Sequence, residues 1–290
     1  MCGSKSTGGC KEVMGSTKRM VKVSFTKMAG TGNDFIMVNN VKKLYNLDWQ
    51  AFAVRFCPLK TGIGADGVIV LDEDTDTDFT FRIFNADGSE AEMCGNGARC
   101  AAFFAVQQGF AKNSMRFKTL AGIIGARIDK EDVAIQMTDP EGLEPGISID
   151  VEDKRMSVHF INTGVPHAIL FIDHIEDARV FELGRAIRFH NRFAPAGTNA
   201  NFVQVLSQDR IHVRTYERGV EAETYACGTG AVASAIIAEH LGKVIGAPVH
   251  VRTKGGDLKI DFTRDGSRYS GVWLIGPVDT VFTGEVMVRS

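Results

Sequence analysis

Short runs in which apolar and polar residues alternate are spread along the chain, and few stretches carry the longer period of a helix. Residues 21–25, 79–83, 122–128, 211–216 and 272–275 are rich in β-branched and aromatic side chains and are predicted as strands. Helical spacing is confined to residues 47–56, 97–108, 182–189 and 230–241. The second and fourth of these are apolar, alanine-rich, and begin just after a cysteine. Residues 1–20 are rich in Gly, Ser, Thr and Lys with no apolar period, and are expected to form a disordered extension.

The two cysteines open near copies of one motif. Cys94-Gly95-Asn96-Gly97-Ala98 and Cys227-Gly228-Thr229-Gly230-Ala231 lie 133 positions apart. Other features recur in the same order. Gly30-Thr31-x-x-x-Phe35-x-x-Val38 returns as Gly197-Thr198-x-x-x-Phe202-x-x-Val205, and Arg82-Ile83-Phe84-Asn85 as Arg214-Thr215-Tyr216-Glu217. Thr119-Leu120-Ala121-Gly122 matches Thr253-Lys254-Gly255-Gly256, and Pro140 and Pro277 each close a strand-like run. Two copies with so long a period imply a duplicated domain, not a solenoid. On these matches 64 residues separate Gly30 from Cys94 but 30 separate Gly197 from Cys227, so an insertion of 34 residues is expected around residues 55–78. The expected fold is α/β (α+β): two pseudo-symmetric halves, each a strand-rich sheet with one principal helix. Residues 21–140 with 278–290 form the first half and 141–277 the second, and the chain crosses between them at Asp139-Pro140 and Gly276-Pro277.

Composition narrows the function. The chain has 290 residues, 44% of them hydrophobic, and a formal charge of −2, which gives no reason to expect nucleic acid or an anionic membrane as partner. No apolar run approaches the ~18–20 residues that span a bilayer. The six cysteines are too sparse and irregular for a disulfide framework, and no secretory segment precedes them. Metal-ligand spacing is absent. Free thiols in a reducing cytoplasm are expected.

A thiol at a helix start faces unpaired backbone N–H groups and the positive end of the dipole, so its pKa is expected to fall below the free value of about 8.5. The same N–H groups can cradle a carboxylate. With two such helix starts face to face, an α-amino acid would have one sulfur over each face of its α-carbon. A thiolate removes the proton, a thiol returns one to the opposite face, and configuration inverts. No metal or organic cofactor is called for. A lone cysteine is far more often a small buried hydrophobe, and Cys2, Cys10, Cys57 and Cys100 take that reading. The duplicated setting reverses it for Cys94 and Cys227.

Longer motifs surround the cysteines: Gly30-Thr31-Gly32-Asn33-Asp34-Phe35, Gly62-Ile63-Gly64-Ala65-Asp66-Gly67 and Arg82-Ile83-Phe84-Asn85-Ala86-Asp87-Gly88-Ser89-Glu90. With them go Met93-Cys94-Gly95-Asn96-Gly97-Ala98-Arg99-Cys100, Tyr216-Glu217-Arg218-Gly219 and Ala226-Cys227-Gly228-Thr229-Gly230. On these motifs the chain, from about residue 21 to residue 288, resembles the diaminopimelate epimerases. The resemblance implies a PLP-independent, homodimeric enzyme that interconverts LL- and meso-2,6-diaminopimelate in lysine and cell-wall precursor synthesis, with each sheet wrapped around a central helix. Cys94 and Cys227 would be the acid/base thiols. Gly95, Asn96, Gly228 and Thr229 would hold the reacting carboxylate, and Asn33, Asn85, Asn199, Glu217 and Arg218 the amino groups and distal carboxylate. Arg218 can grip a carboxylate with two hydrogen bonds, and Glu217 can receive an ammonium. On residue type alone, Asn33 beside Gly32 and Asn199 two residues after Gly197 would be turn formers, and Glu217-Arg218 a solvated surface pair.

The chain departs from the family pattern in places. Val165 stands in Gly164-Val165-Pro166-His167 where many relatives have asparagine, which removes one expected contact to the distal end of the substrate. Ala29 replaces a common histidine, and Thr229 replaces serine but keeps the hydroxyl. His167 matches, and a structural place is the favoured expectation for it. Two rivals remain open. Proline and hydroxyproline racemases also use two cysteines but carry Met-Cys-Gly-His-Gly at the first. A thiol redox sensor would pair Cys94 with Cys227, leaving Asn33, Asn85, Glu217 and Arg218 unexplained.

Overall fold

The computed structural model describes residues 20–289, so the expected extension, apart from Met20, lies outside the described residues. The first passage of the chain runs β1 (Met20–Gly30), β2 (Asn33–Asn40), α1 (Trp49–Phe56), β3 (Gly67–Asp72), β4 (Phe79–Asn85) and β5 (Glu90–Ala91). It continues with α2 (Gly95–Gln107), β6 (Ser114–Thr119), β7 (Gly122–Asp129) and β8 (Asp132–Gln136). After β9 (Glu141–Val151) the same succession returns. It starts with β10 (Lys154–Asn162), β11 (Pro166–Phe171), α3 (Val180–Arg188), β12 (Asn199–Ser207), β13 (Arg210–Glu217) and β14 (Ala222–Thr224). Next come α4 (Gly228–His240), β15 (Val249–Thr253), β16 (Gly256–Asp265) and β17 (Arg268–Pro277), before β18 (Asp279–Arg289) ends the chain.

Pairing repeats with the order. β2 runs parallel to β3 as β11 does to β12, and β4 parallel to β6 as β13 does to β15. β18 lies antiparallel to β1, as β9 does to β10. The halves join where β8 pairs with β17, Ile135 opposite Leu274. This is a two-domain α/β fold, rich in strand and poor in helix. Cys57 and Cys100 are buried in its cores, as expected of structural thiols, and Cys2 and Cys10 lie outside the described residues.

The repeat register differs from the one the short motifs suggest. Gly30-Thr31 leads from β1 into β2, whereas Gly197-Thr198 precedes β12, the mate of β3. The counterpart of Thr31-Gly32-Asn33 is Thr163-Gly164-Val165, and that of Asn199 is Gly67. From Thr31 to Asn85 the offset is a constant 132 residues. The expected 34-residue insertion therefore does not exist, because β3 within residues 55–78 already has a mate in β12.

Alternation explains the layering. In β3, Ile69 and Leu71 face the core around α2, while Val68 and Val70 face Phe52, Ala53 and Phe56 of α1. In the second half Val203, Ile211 and Val213 face the core around α4, while Phe202 and Tyr216 face Val180 and Ile187 of α3. Helices α2 and α4 are thus enclosed by strands, and their alanines let strands come close. On the outer layer α3 sits so near β13 that a Cβ on Gly184 would lie 2.4 Å from Tyr216 Cβ. Gly184→Ala is expected to destabilise by about 1–3 kcal/mol through overpacking, despite alanine's better helix propensity. A urea midpoint equal to that of the parent would contradict this contact.

Candidate active site

Each cysteine sits where extended chain turns into helix. Cys94 caps α2 and Cys227 caps α4, both with extended backbone angles and no side-chain capping bond, so each sulfur is free for other work. The approach to each is braced alike. Arg82 holds Glu90 at 2.8 and 3.1 Å, and Arg214 holds Glu223 at 2.7 and 2.9 Å, each a forked ion pair tying the strand before the cysteine to its neighbour.

The two helix starts meet on one apolar floor. A Cβ on Gly95 would lie 3.1 Å from Leu274 Cδ2, and one on Gly228 would lie 2.8 Å from the same atom. The missing side chains let both turns rest closely on that leucine, and the two thiols lie within electrostatic reach of each other. The amides of Asn96 and Gly97 turn toward Cys94. Cys227 has the amide of Gly230 and the hydroxyl of Thr229, whose Oγ1 is 3.4 Å from the sulfur.

Burial outweighs those donors. It pushes the Cys94 thiol above its ordinary value and that of Cys227 up to about 12, and the carboxylate of Glu217 pushes both the same way. The expected lowering of the thiol pKa is therefore reversed at both cysteines. The helix amides act in the expected direction, but burial exceeds them. Burial also raises the Glu217 carboxyl, against a 3.0 Å hydrogen bond donated by Thr224.

The asparagines make long-range bonds. Asn33 donates to Asp66 Oδ2 at 2.8 Å and accepts from Asn96 Nδ2 at 2.8 Å, which links β2 to the first cysteine's turn. Asp34 beside it holds the buried Lys27 at 2.6 Å. Asn199 donates to Pro166 O at 2.9 Å and accepts the Arg218 amide at 2.8 Å, and the Arg218 guanidinium donates to Ala196 O at 3.2 Å. Turn formation is the wrong reading for Asn33 and Asn199. Asn85 is exposed at the end of β4 and donates to Ser89 Oγ at 3.0 Å. Glu217 and Arg218 are both partly buried, not a freely solvated pair.

His167 is fully buried, with Nδ1 3.1 Å from Asn201 Nδ2 and Nε2 without a hydrogen-bond partner. Burial, with Arg218 nearby, pulls its pKa from 6.5 down to about 3. As pH falls, the unfolded chain takes up this proton first. The contribution of neutral His167 is complete above about 6.5 and is lost as pH falls toward about 3. Between pH 7.5 and 5 the parent should lose about 2 kcal/mol more than His167→Gln. Equal losses in urea titrations at the two pH values would contradict the buried neutral imidazole.

Residue-level reading of the sequence missed several parts of the site. Thr31 accepts from Arg99 and Asn96, Thr163 donates to Thr229 O at 3.0 Å, and Leu274 with Ile135 forms the floor. The true repeat register carries the signal for the threonines, since Thr31-Gly32 and Thr163-Gly164 are mates. Nothing local marks the leucine.

The chain has clear relatives. The diaminopimelate epimerase family model matches residues 25–142 and 159–281. The chain belongs to the diaminopimelate epimerase family. A diaminopimelate epimerase of Aquifex aeolicus (strain VF5) is 44% identical over 276 residues, which cover 91% of this chain and 98% of that relative. Among solved structures, a Bacillus anthracis phenazine biosynthesis protein of the PhzF family superimposes with a TM-score of 0.73 at 14% identity, covering 92% of this chain and all of that one. A probable proline racemase from Agrobacterium radiobacter K84 superimposes with a TM-score of 0.65 at 18% identity, covering 91% and 92%. At these identities the structural likeness concerns the fold alone.

Proposed function

We propose that this protein epimerises LL-2,6-diaminopimelate to the meso isomer by a two-thiol mechanism, in the reaction that serves lysine biosynthesis. The observation that carries the reading is the convergence of two cysteine-capped helix starts on Leu274, in a member of the diaminopimelate epimerase family. The amides that open α2 and α4, including those of Gly95, Asn96, Gly228 and Thr229, receive the reacting carboxylate. One sulfur, as thiolate, takes the α-proton from one face, and charge builds on the α-carbon and its carboxylate. The other sulfur, as thiol, gives its proton to the opposite face. Each turnover leaves the two protonation states exchanged, so the reverse reaction uses the same pair. Solvent exchange restores the starting state.

Glu217 faces both thiols electrostatically and takes the α-ammonium. Arg218 and Asn199, at the ends of β13 and β12, take the distal carboxylate and amine together with Asn33, which also steadies the first cysteine's turn through Asn96. With Val165 in the place that mirrors Asn33, the second half offers one polar contact fewer. Asn85, exposed at the end of β4, adds a neutral amide to the same set. We further propose half-domain limits of 21–140 with 278–290 and 141–277, a homodimer, and a cytoplasmic location. No helix among the described residues is long and apolar enough to cross a membrane.

The substrate test is direct. Reduced protein incubated with LL-2,6-diaminopimelate should form the meso isomer, resolved by chiral chromatography, and should leave L-proline unchanged. Turnover of proline with none of diaminopimelate would overturn the reading.

A further inference from the structure

The most unusual group near the site is one for which the proton transfers above have no use. Arg99, on the second turn of α2, is fully buried. One of its terminal nitrogens, Nη2, donates to Thr31 Oγ1 at 2.8 Å and to Asn96 Oδ1 at 3.0 Å, both neutral acceptors. Its Nε and Nη1 have no hydrogen-bond partner, and among the described residues no carboxylate forms an ion pair with it. The backbone of Gly276 packs over the guanidinium, since a Cβ there would lie 3.4 Å from Nε. An arginine does not shed its proton near neutrality even when burial pulls it to about 10. A buried cation without a counter-ion favours any anion that can form beside it.

The groups that can become that anion are thiols. Cys94 and Cys100 act on Arg99 electrostatically. Cys100 lies inside the helix, packed against the site of Gly30, and burial pushes it up to about 12. Asp279 of β18 acts on Cys100, not on Arg99. Cys94 differs because the amides of Asn96 and Gly97 are turned toward its sulfur. Glu217 of β13 opposes an anion at Cys94 and also at Cys227, so it does not distinguish them in sign. The second half has no matching cation. Val232 stands where Arg99 stands, five residues after the cysteine.

We propose that Arg99 is a positioning residue that breaks the symmetry of the thiol pair, so that the first proton lost by the substrate-free pair leaves Cys94 while Cys227 keeps its own. This rests on the two-thiol reading. It assigns unlike resting states to like cysteines through one buried charge, and it makes Asn96, gripped by Arg99, part of the same device.

Alkylation tests it. Each cysteine's rate of reaction with iodoacetamide, followed by peptide mass spectrometry across pH, gives a midpoint that access to the sulfur does not alter. In the unmodified protein the Cys94 midpoint should lie at least one pH unit below that of Cys227, a tenfold difference in thiolate fraction. Arg99→Gln should raise the Cys94 midpoint and narrow or reverse its gap to Cys227, and Arg99→Lys should restore most of the shift. A Cys227 midpoint equal to or below that of Cys94, or a Cys94 profile unmoved in Arg99→Gln, would overturn the proposal. If Arg99→Gln fails to fold, the order of midpoints in the unmodified protein decides alone. Failure of the two-thiol reading would show separately, as full turnover in Cys94→Ala or Cys227→Ala.

Discussion

Cys94→Ala and Cys227→Ala should each lower kcat for epimerisation by about 10²–10⁴-fold or more, the range for losing one positioned acid or base. The two effects should be similar in size, because inversion needs a proton taken from one face and another given to the opposite face. Neither variant should lose much stability. Each sulfur caps no helix amide through a formal capping bond, and alanine keeps the extended-to-helical turn. Initial-rate assays beside thermal unfolding separate the two effects. A folded variant with full activity would remove its cysteine from the mechanism.

Gly255→Ala is expected to lower kcat/KM by about 100-fold from a position outside the chemistry. A Cβ on Gly255 would stand 2.7 Å from Gly32 Cα, 2.8 Å from Thr31 O and 2.9 Å from Gly32 N. All three are backbone atoms, so no side chain can swing aside to make room. Gly32 has little freedom of its own, with a φ of +89° and Tyr225 against it. The displacement must therefore pass to Thr31, whose carbonyl and hydroxyl hold Asn96 and Arg99. Asn96 is two residues from Cys94, so the first thiol moves relative to the second. The mirror position in the first half is Ala121, exposed at its own hairpin, and Ala121→Gly is the matched control with activity unchanged. Steady-state kinetics of the two variants check the contrast. Unchanged kcat/KM in Gly255→Ala would mean that this contact between the halves does not set the geometry of the thiols.

Much of this arrangement is legible along the chain. Alternation marks the strands, four segments of helical spacing became the four α-helices, and the repeated Cys-Gly-x-Gly-Ala identifies the two helix starts. The repeat register was not legible from Gly30-Thr31 and Gly197-Thr198, because a glycine-threonine pair before an apolar strand occurs at two different places in the fold. Pairing partners distinguish them, and pairing is a long-range property. The thiols' burial was likewise hidden. The turns beside them rest on Leu274 and Ile135, far from either cysteine in sequence and opposite each other only in the β8–β17 ladder. Residue type alone would make Asn33 and Asn199 turn formers, for the same reason. Their partners, Asp66 and Asn96 for one and Pro166 and Arg218 for the other, are supplied by neighbouring strands and turns.

The central claim is that one proton leaves the α-carbon to one sulfur and another arrives from the second. Early turnover of LL-2,6-diaminopimelate in deuterated water tests it most directly. The first meso product should carry solvent deuterium at the inverted carbon, while unreacted LL substrate keeps its hydrogen there. Meso product that retains the substrate's own α-hydrogen would mean a single group carries the proton across, and would contradict the account.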